Sequence, residues 1–289
     1  MSRTRLVAVW WVACLLWSAG WLFIKIGVTS LPPLTFAAAR LTLAFTVLAA
    51  IVTFRDEWRS LKRDDLPAIA VSGLLLLGFN YALTYWGAQY LPSALTSVLQ
   101  ATSPVIGFLI GITTGAERFT LARGLALPLG VAGVALITGG GFDGTTRAVW
   151  GSAAVVLGGA CAALAYAIVK RRSIHLPPLP MVAMQTLFAL IPLAVGAWIA
   201  DGDPRAQRWT AQAIVSLLYL GIASSVIAFW LNYWLLRHVS ATMVLSMALV
   251  QPLVAALLGA IVLGERLGAS AAAGGTLILL SAAVILRRD

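Results

Sequence analysis

Residues 25–34, KIGVTSLPPL, return 145 positions later as KRRSIHLPPL at residues 170–179. The shared frame is Lys25-x₅-Leu31-Pro32-Pro33-Leu34 over Lys170-x₅-Leu176-Pro177-Pro178-Leu179. A shift of 148 then lays Tyr85-Trp86, Pro104, Gly111 and Glu117-Arg118 on Tyr233-Trp234, Pro252, Gly259 and Glu265-Arg266. Several residue types coincide at fixed spacings over most of each half, which chance explains poorly. Each copy, 6–139 and 149–286, carries five apolar stretches of spanning length. An odd number of crossings reverses the chain, so the second copy should lie upside down relative to the first. The expected fold is an all-α integral membrane protein with ten transmembrane helices in two inverted five-helix repeats. Inverted repeats are a recurring plan of secondary transporters, with the site near mid-bilayer between the halves.

Composition agrees with a membrane protein. Of the 289 residues, 61% are apolar and 10% charged, against about 25% charged in an average soluble domain. The net charge of +10 and eleven Trp could suggest nucleic-acid binding. That reading fails because the basic residues cluster between apolar runs instead of along one face. Cys14 and Cys161 both fall inside apolar runs and read as buried small hydrophobes, with no disulfide or metal framework. The start, MSRTR, resembles a signal peptide. The apolar run that follows continues to about Val28 without a small-x-small cleavage site, so it reads as the first span.

Spans are expected at 6–28, 33–54, 66–91, 93–114, 121–139, 149–169, 178–200, 210–236, 240–263 and 268–286. Pro32-Pro33, Asp64-Asp65, Leu91-Pro92, Gly139-Gly140-Gly141, Pro177-Pro178 and Gly202-Asp203-Pro204 punctuate the short connections. With these spans, fourteen Lys and Arg fall on one side and four on the other, while Lys25 and Arg40 lie within helices. The positive-inside rule then places both termini in the cytoplasm; the expected location is the cell's inner membrane.

The duplicated architecture, Trp17-Ser18-x-x-Trp21-x₃-Lys25 in helix 1, and Pro104-x₁₂-Glu117-Arg118 with its echo Pro252-x₁₂-Glu265-Arg266 resemble the EamA-type branch of the drug/metabolite transporter superfamily. Within it the chain is most similar to the YddG-type exporters of aromatic and other neutral amino acids. The resemblance implies a ten-helix basket with helices 1, 3, 4, 6, 8 and 9 around a central cavity. It also implies small-molecule cargo, with the lipid bilayer as surroundings and a monomeric chain. The second copy lacks the helix 1 tryptophans: Tyr166 stands for Trp21 and Ala162 for Trp17. The cavity should therefore be asymmetric within a symmetric frame.

Several residues are candidates for cargo contact. Trp10, Cys14, Trp17, Trp21 and Lys25 share one face of helix 1. Trp10 and Trp11 sit near the cytoplasmic end and read as interfacial anchors. Trp17 sits near mid-span, where its indole N–H needs a partner or a wet cavity, so cavity lining is favoured over packing. For Trp21 the two readings balance. Asn80, Tyr81 and Thr84 on helix 3, with Trp230 on helix 8, read as substrate contacts or as interhelical hydrogen bonding. Pro104 and Pro252 should act as mid-span hinges, each leaving a carbonyl four residues earlier under-satisfied, with Gln100, Ser103, Ser246 and Gln251 beside them. Gly107, Gly111 and Gly115 read as a close-crossing stripe. Lys25 with Glu265, and Lys170 with Glu117, are expected to form gating ion pairs at opposite ends, with snorkelling as the alternative for each lysine. Arg40 lies too deep to snorkel and needs a carbonyl, a polar partner or a ligand carboxylate; structural pairing is favoured.

Absences narrow the function. All ten Asp and Glu fall in loops or at helix ends, which argues against a cation-for-proton antiporter. No phosphate-cradling Gly-rich motif is present and no catalytic or metal cluster is evident, so neither enzyme nor cofactor is expected. The expected function is export of small neutral metabolites, aromatic and large neutral amino acids above all, by alternating access. The rivals are a broad drug, sugar or nucleobase carrier and, from another class, an intramembrane enzyme or non-transporting scaffold.

Overall fold

The computed structural model describes residues 3–91, 96, 99–116, 118–138, 145–254 and 269–286. These are helical throughout apart from short connections. α1 is Arg3–Ser30 and α2 is Pro33–Phe54. α3 runs without interruption through Leu66–Gly73, a π-helical stretch Leu74–Phe79, and Asn80–Tyr90. α4 is Ser103–Thr113 and α5 is Leu121–Thr138. α6, Thr146–Ile168, continues into a π-helical Val169–Ser173; α7 is Pro178–Asp201. α8 passes through Ala211–Leu218, a π-helical Tyr219–Ile227, and Ala228–Leu236. α9 is Ala241–Val254 and α10 is Ala269–Leu286.

Local chemistry sets the boundaries. Pro33 and Pro178 open α2 and α7, where a missing N–H costs nothing. Thr145, Thr210 and Ser240 cap α6, α8 and α9 by accepting from the N–H groups of Ala148, Ala213 and Met243 at 3.3, 3.2 and 3.2 Å. At the end of α4, Gly115 adopts φ 69°. Ala116 N–H bonds the Gly111 carbonyl at 2.8 Å, and Gly115 N–H bonds Ile112 at 3.0 Å. That is a Schellman stop. A Cβ on Gly115 would meet nothing within 4 Å, so this glycine terminates the helix and does not extend the close-crossing stripe.

The proline expectations are corrected in detail. Pro104 lies in the first turn of α4, and the chain turns at Ala101–Thr102 just before it. Pro252 lies inside a regular stretch of α9, whose break falls at Ser246, six residues earlier. The reason is that Ser246 already diverts the ladder. Its hydroxyl bonds the Met243 carbonyl at 2.8 Å, and its own carbonyl accepts from Leu249 at 3.0 Å.

In the packing, α2 lies along α7, α3 along α6, α5 along α10, and α4 contacts α6 and α9. α1 fits against α8 and α9, with its tryptophan face toward their carbonyls. Trp10 Nε1 donates to the Met243 carbonyl at 3.0 Å, and the Cys14 thiol points to the Met247 carbonyl at 3.7 Å. The large exposed side chains outside are apolar: Phe54, Trp150, Trp198, Ile199 and Leu157. Many buried ones are polar: Ser72, Asn80, Gln185, Thr186, Ser224 and Gln251. Such a surface would aggregate in water and is at home in lipid. Among the described residues, six helices are long and apolar enough to cross a membrane. The chain is a multi-pass membrane protein.

Trp10 is not an interfacial anchor. It is fully buried, edge-on to Trp11, and its indole covers a carbonyl beside the α9 break. Trp10→Ala removes both packing and that donor, so the thermal midpoint in detergent should fall well below that of Trp10→Phe, which keeps most of the packing. Equal midpoints for wild type and Trp10→Ala would restore the anchor reading.

Candidate functional site

A cavity of about 150 Å³ opens between α1, α2, α3, α6, α8, α9 and the segment leading into α4. That is room for roughly five waters, hence for a small metabolite and not a polymer. The structure brings Trp17, Trp21, Asn80, Tyr81, Thr84, Gln100, Ser103, Tyr166 and Gln251 to its wall. Trp230 is a correction: it is 44% exposed on the outer face of α8. Phe229 and Tyr233, four apart, point inward, and one residue past Phe229 the helix has turned about 100° away. Phe229 supplies the aromatic surface expected of Trp230, edge-on to Trp17 at 5.3 Å between centroids.

Helix irregularities position the polar groups. The π-helical stretches of α3 and α8 overlap under the 148-residue shift, which carries Leu76 to Ser224. A change of ladder leaves a carbonyl with spare capacity, and such stretches gather at functional sites. Both carbonyls are used. Asn80 Nδ2 donates to Leu76 at 3.2 Å, and Trp17 Nε1 donates to Ser224 at 2.9 Å. Trp17 is therefore both a cavity wall and an interhelical bond.

Asn80 also anchors an amide cluster. Gln100 Nε2 donates to Asn80 Oδ1 at 3.0 Å and to Thr84 Oγ at 3.1 Å. Gly158 and Gly159 on α6 leave the space for it: a Cβ on Gly159 would lie 2.8 Å from Gln100 Oε1, and one on Gly158 2.9 Å from Thr84 Oγ. Across the cavity, Gln251 Oε1 accepts from Trp21 Nε1 at 2.7 Å, and its amide nitrogen has no partner among the described residues.

Arg40 is the wall residue that sequence reasoning assigned to structure. It is 3% exposed and borders the cavity. Nε donates to Ser225 Oγ at 2.9 Å, Nη1 to Tyr85 Oη at 2.9 Å and Nη2 to Ser224 Oγ at 3.1 Å. Its guanidinium lies over Tyr81, 4.7 Å from the ring centroid. Tyr85, Ser224 and Phe229 were also missed as wall residues; only the aromatic and hydroxyl-rich runs around them hinted at it.

The proposed gates are only partly visible. Glu117, Glu265 and the Lys25 side chain lie outside the described residues. Lys170 Nζ donates to the Val239 carbonyl at 2.7 Å and to that of Leu236, covering the C-terminal end of α8. At the same end, His175 Nε2 lies 3.3 Å from Asp65 and joins the two halves.

An apolar shell of helices around a cavity with an aromatic wall and a few polar groups is the build of a small-molecule membrane carrier, and the comparisons agree. The model of the EamA-like transporter family matches residues 6–139 and again 149–287, and the chain belongs to that family. Among curated relatives, the Bacillus subtilis uncharacterized transporter YvbV is 30% identical, covering 98% of this chain and 92% of its own. YoaV of the same organism, also an uncharacterized transporter, is 27% identical over 91% and 90%. The Escherichia coli uncharacterized inner membrane transporter YedA is 29% identical over 88% and 81%. A solved crystal structure superposes with a TM-score of 0.81 at 20% identity, over 98% of this chain and 96% of that one, which shows the fold.

Adjacent residues test the cavity's outline. In a Cys14→Ala/Cys161→Ala background, Phe229→Cys should react with a small water-soluble thiol reagent, and Trp230→Cys should react only with a lipid-soluble one. The reverse pattern would place the aqueous path on the other face of α8.

Proposed function

We propose that this chain exports small neutral metabolites, aromatic and other large neutral amino acids foremost, across the inner membrane by alternating access. The observation that carries the reading is the cavity's two-part wall. Trp17, Trp21, Tyr81, Tyr166 and Phe229 offer aromatic surface, while Asn80, Thr84, Gln100 and Gln251 offer amide and hydroxyl groups. Few polar groups on an aromatic wall suit a compact solute with one polar end and one large apolar end.

In this reading ten spans form two inverted five-helix repeats with both termini in the cytoplasm, and the halves rock about the cavity. The twofold match of one family model and the coincident π-helical stretches support the duplication. With that orientation the cavity occupies the outer half of the bundle. Trp10, Gln185, Tyr233 and Lys170 then pack the inner half shut. Lys25–Glu265 and Lys170–Glu117 would close opposite ends, and the turn at Ala101–Thr102 and the break at Ser246, near Pro104 and Pro252, would let the helices flex. The carrier acts as a monomer and uses no cofactor.

No carboxylate lines the cavity among the described residues. Exchange should therefore not need a proton. In proteoliposomes of protein and lipid alone, counterflow of unlabelled against labelled phenylalanine should persist after a protonophore collapses the pH gradient; complete abolition would overturn this energetics. Trp17→Ala, which removes aromatic wall, should slow counterflow of large side chains more than that of alanine. Equal loss for every cargo would assign Trp17 to packing alone.

A further inference from the structure

We infer that Arg40 is a carboxylate-binding residue, so the cargo enters with an anionic oxygen pair facing α2. The inference deepens the proposed function and rests on it for the amino-acid form of the cargo.

Three observations carry it. First, Arg40 is a nearly fully buried cation at membrane depth whose hydrogen-bond partners, Ser224, Ser225 and Tyr85, are all neutral. No acid lies on α2, α3 or α8, which hold these groups. Asp201, at the end of α7, accepts instead from the Thr35 N–H and hydroxyl at 2.7 and 3.0 Å. A buried charge without a counter-ion is costly and points to a ligand.

Second, the donor count is incomplete. A guanidinium has five N–H groups. Three are used, one on each nitrogen, so Nη1 and Nη2 each keep one N–H without an acceptor among the described residues. Arg40 borders the cavity. Two free donors on neighbouring nitrogens are what the two oxygens of a carboxylate bridge.

Third, the other half of the chain provides an internal control. The shift of 145 carries Arg40 to Gln185, and the shift of 148 carries Tyr85 to Tyr233. The contacts repeat. Arg40 bonds Tyr85 of its own half and reaches α8 of the other. Gln185 accepts from Tyr233 of its own half at 2.7 Å and donates to Ser72 on α3 of the other, also at 2.7 Å. A neutral amide thus makes the same cross-half lock, fully buried and away from the cavity. The lock needs no charge. The charge occurs only in the copy that faces the cavity, so it serves what enters there.

The test uses purified full-length protein and Arg40→Gln, which copies the residue of the sister half. Thermal stabilisation is read with phenylalanine, 3-phenylpropionate, phenylalaninamide and phenethylamine, and with acetate and 2-oxobutanoate as carboxylates lacking an aromatic ring. Wild type should favour the acids over the amide and amine by about ten- to hundredfold in apparent affinity, as expected for a hydrogen-bonded charge pair. Arg40→Gln should erase that preference while keeping a monodisperse gel-filtration profile. If phenylalanine fails but simple carboxylates stabilise wild type and not Arg40→Gln, the anion site stands and the amino-acid reading falls. If phenylalanine and its amide bind wild type alike, or the variant keeps the acid preference, the amino-acid reading survives and the Arg40 site is overturned. Absence of stabilisation by any carboxylate also overturns it. Should Arg40→Gln fail to fold, the acid-against-amide comparison on wild type decides alone.

Discussion

Hydrocarbon offers no hydrogen bonds, so a polar group that this chain takes into the membrane is costly unless it finds a partner in the protein or in a cavity. The structure turns that constraint into a way of joining helices. Where a backbone ladder is irregular, a carbonyl has capacity to spare, and a side chain from another turn or helix covers it. Trp10 covers Met243 at the break in α9, Trp17 covers Ser224 in the π-helical part of α8, and Asn80 covers Leu76 in that of α3. Since lipid tails are as apolar as leucine, such bonds and close packing hold the bundle where the hydrophobic effect between helices cannot. The irregular turns and the cavity share an origin: the groups that satisfy the backbone also form the wall.

Much of this was legible in the sequence. Apolar length foretold the six long helices among the described residues, paired prolines the starts of α2 and α7, and the three- and four-residue steps on α1 put Trp17 and Trp21 on one face with Trp10 and Cys14. The polar cluster was foreseeable residue by residue, because an amide in a span must bond to something. What it bonds to was not. The π-helical stretches lie in Leu-, Ser- and Gly-containing runs that look like ordinary helix, and a single extra residue per turn rotates everything after it. That uncertainty is enough to exchange Phe229 for the neighbouring Trp230 at the cavity. Proline was a misleading guide in α9, where the break follows Ser246, not Pro252. Trp10 was misread because depth along a helix does not reveal which side its face meets.

The two halves diverge where function would require it. A symmetric frame can rock between two equivalent arrangements, since each contact on one side has a sister on the other. Identical halves, however, would offer the cargo identical groups at both ends. Here the sister positions Arg40 and Gln185 keep the same connections and differ by one charge. Trp17 and Trp21 similarly face Ala162 and Tyr166 as their counterparts. In the proposed function the frame would carry the motion, and the departures from symmetry the selectivity.

In the proposed transport cycle one cavity is reached in turn from both sides of the membrane. Ala248 borders it, half-buried, on the α9 stretch that follows the Ser246 break. With Cys14 and Cys161 replaced by alanine, Ala248→Cys can be labelled by a membrane-impermeant thiol reagent in right-side-out and in inverted vesicles. The expected result is labelling from both sides at different rates, with saturating cargo slowing both. Labelling confined to one side whatever the cargo, or none from either, would contradict alternating access and leave the cavity a dead end.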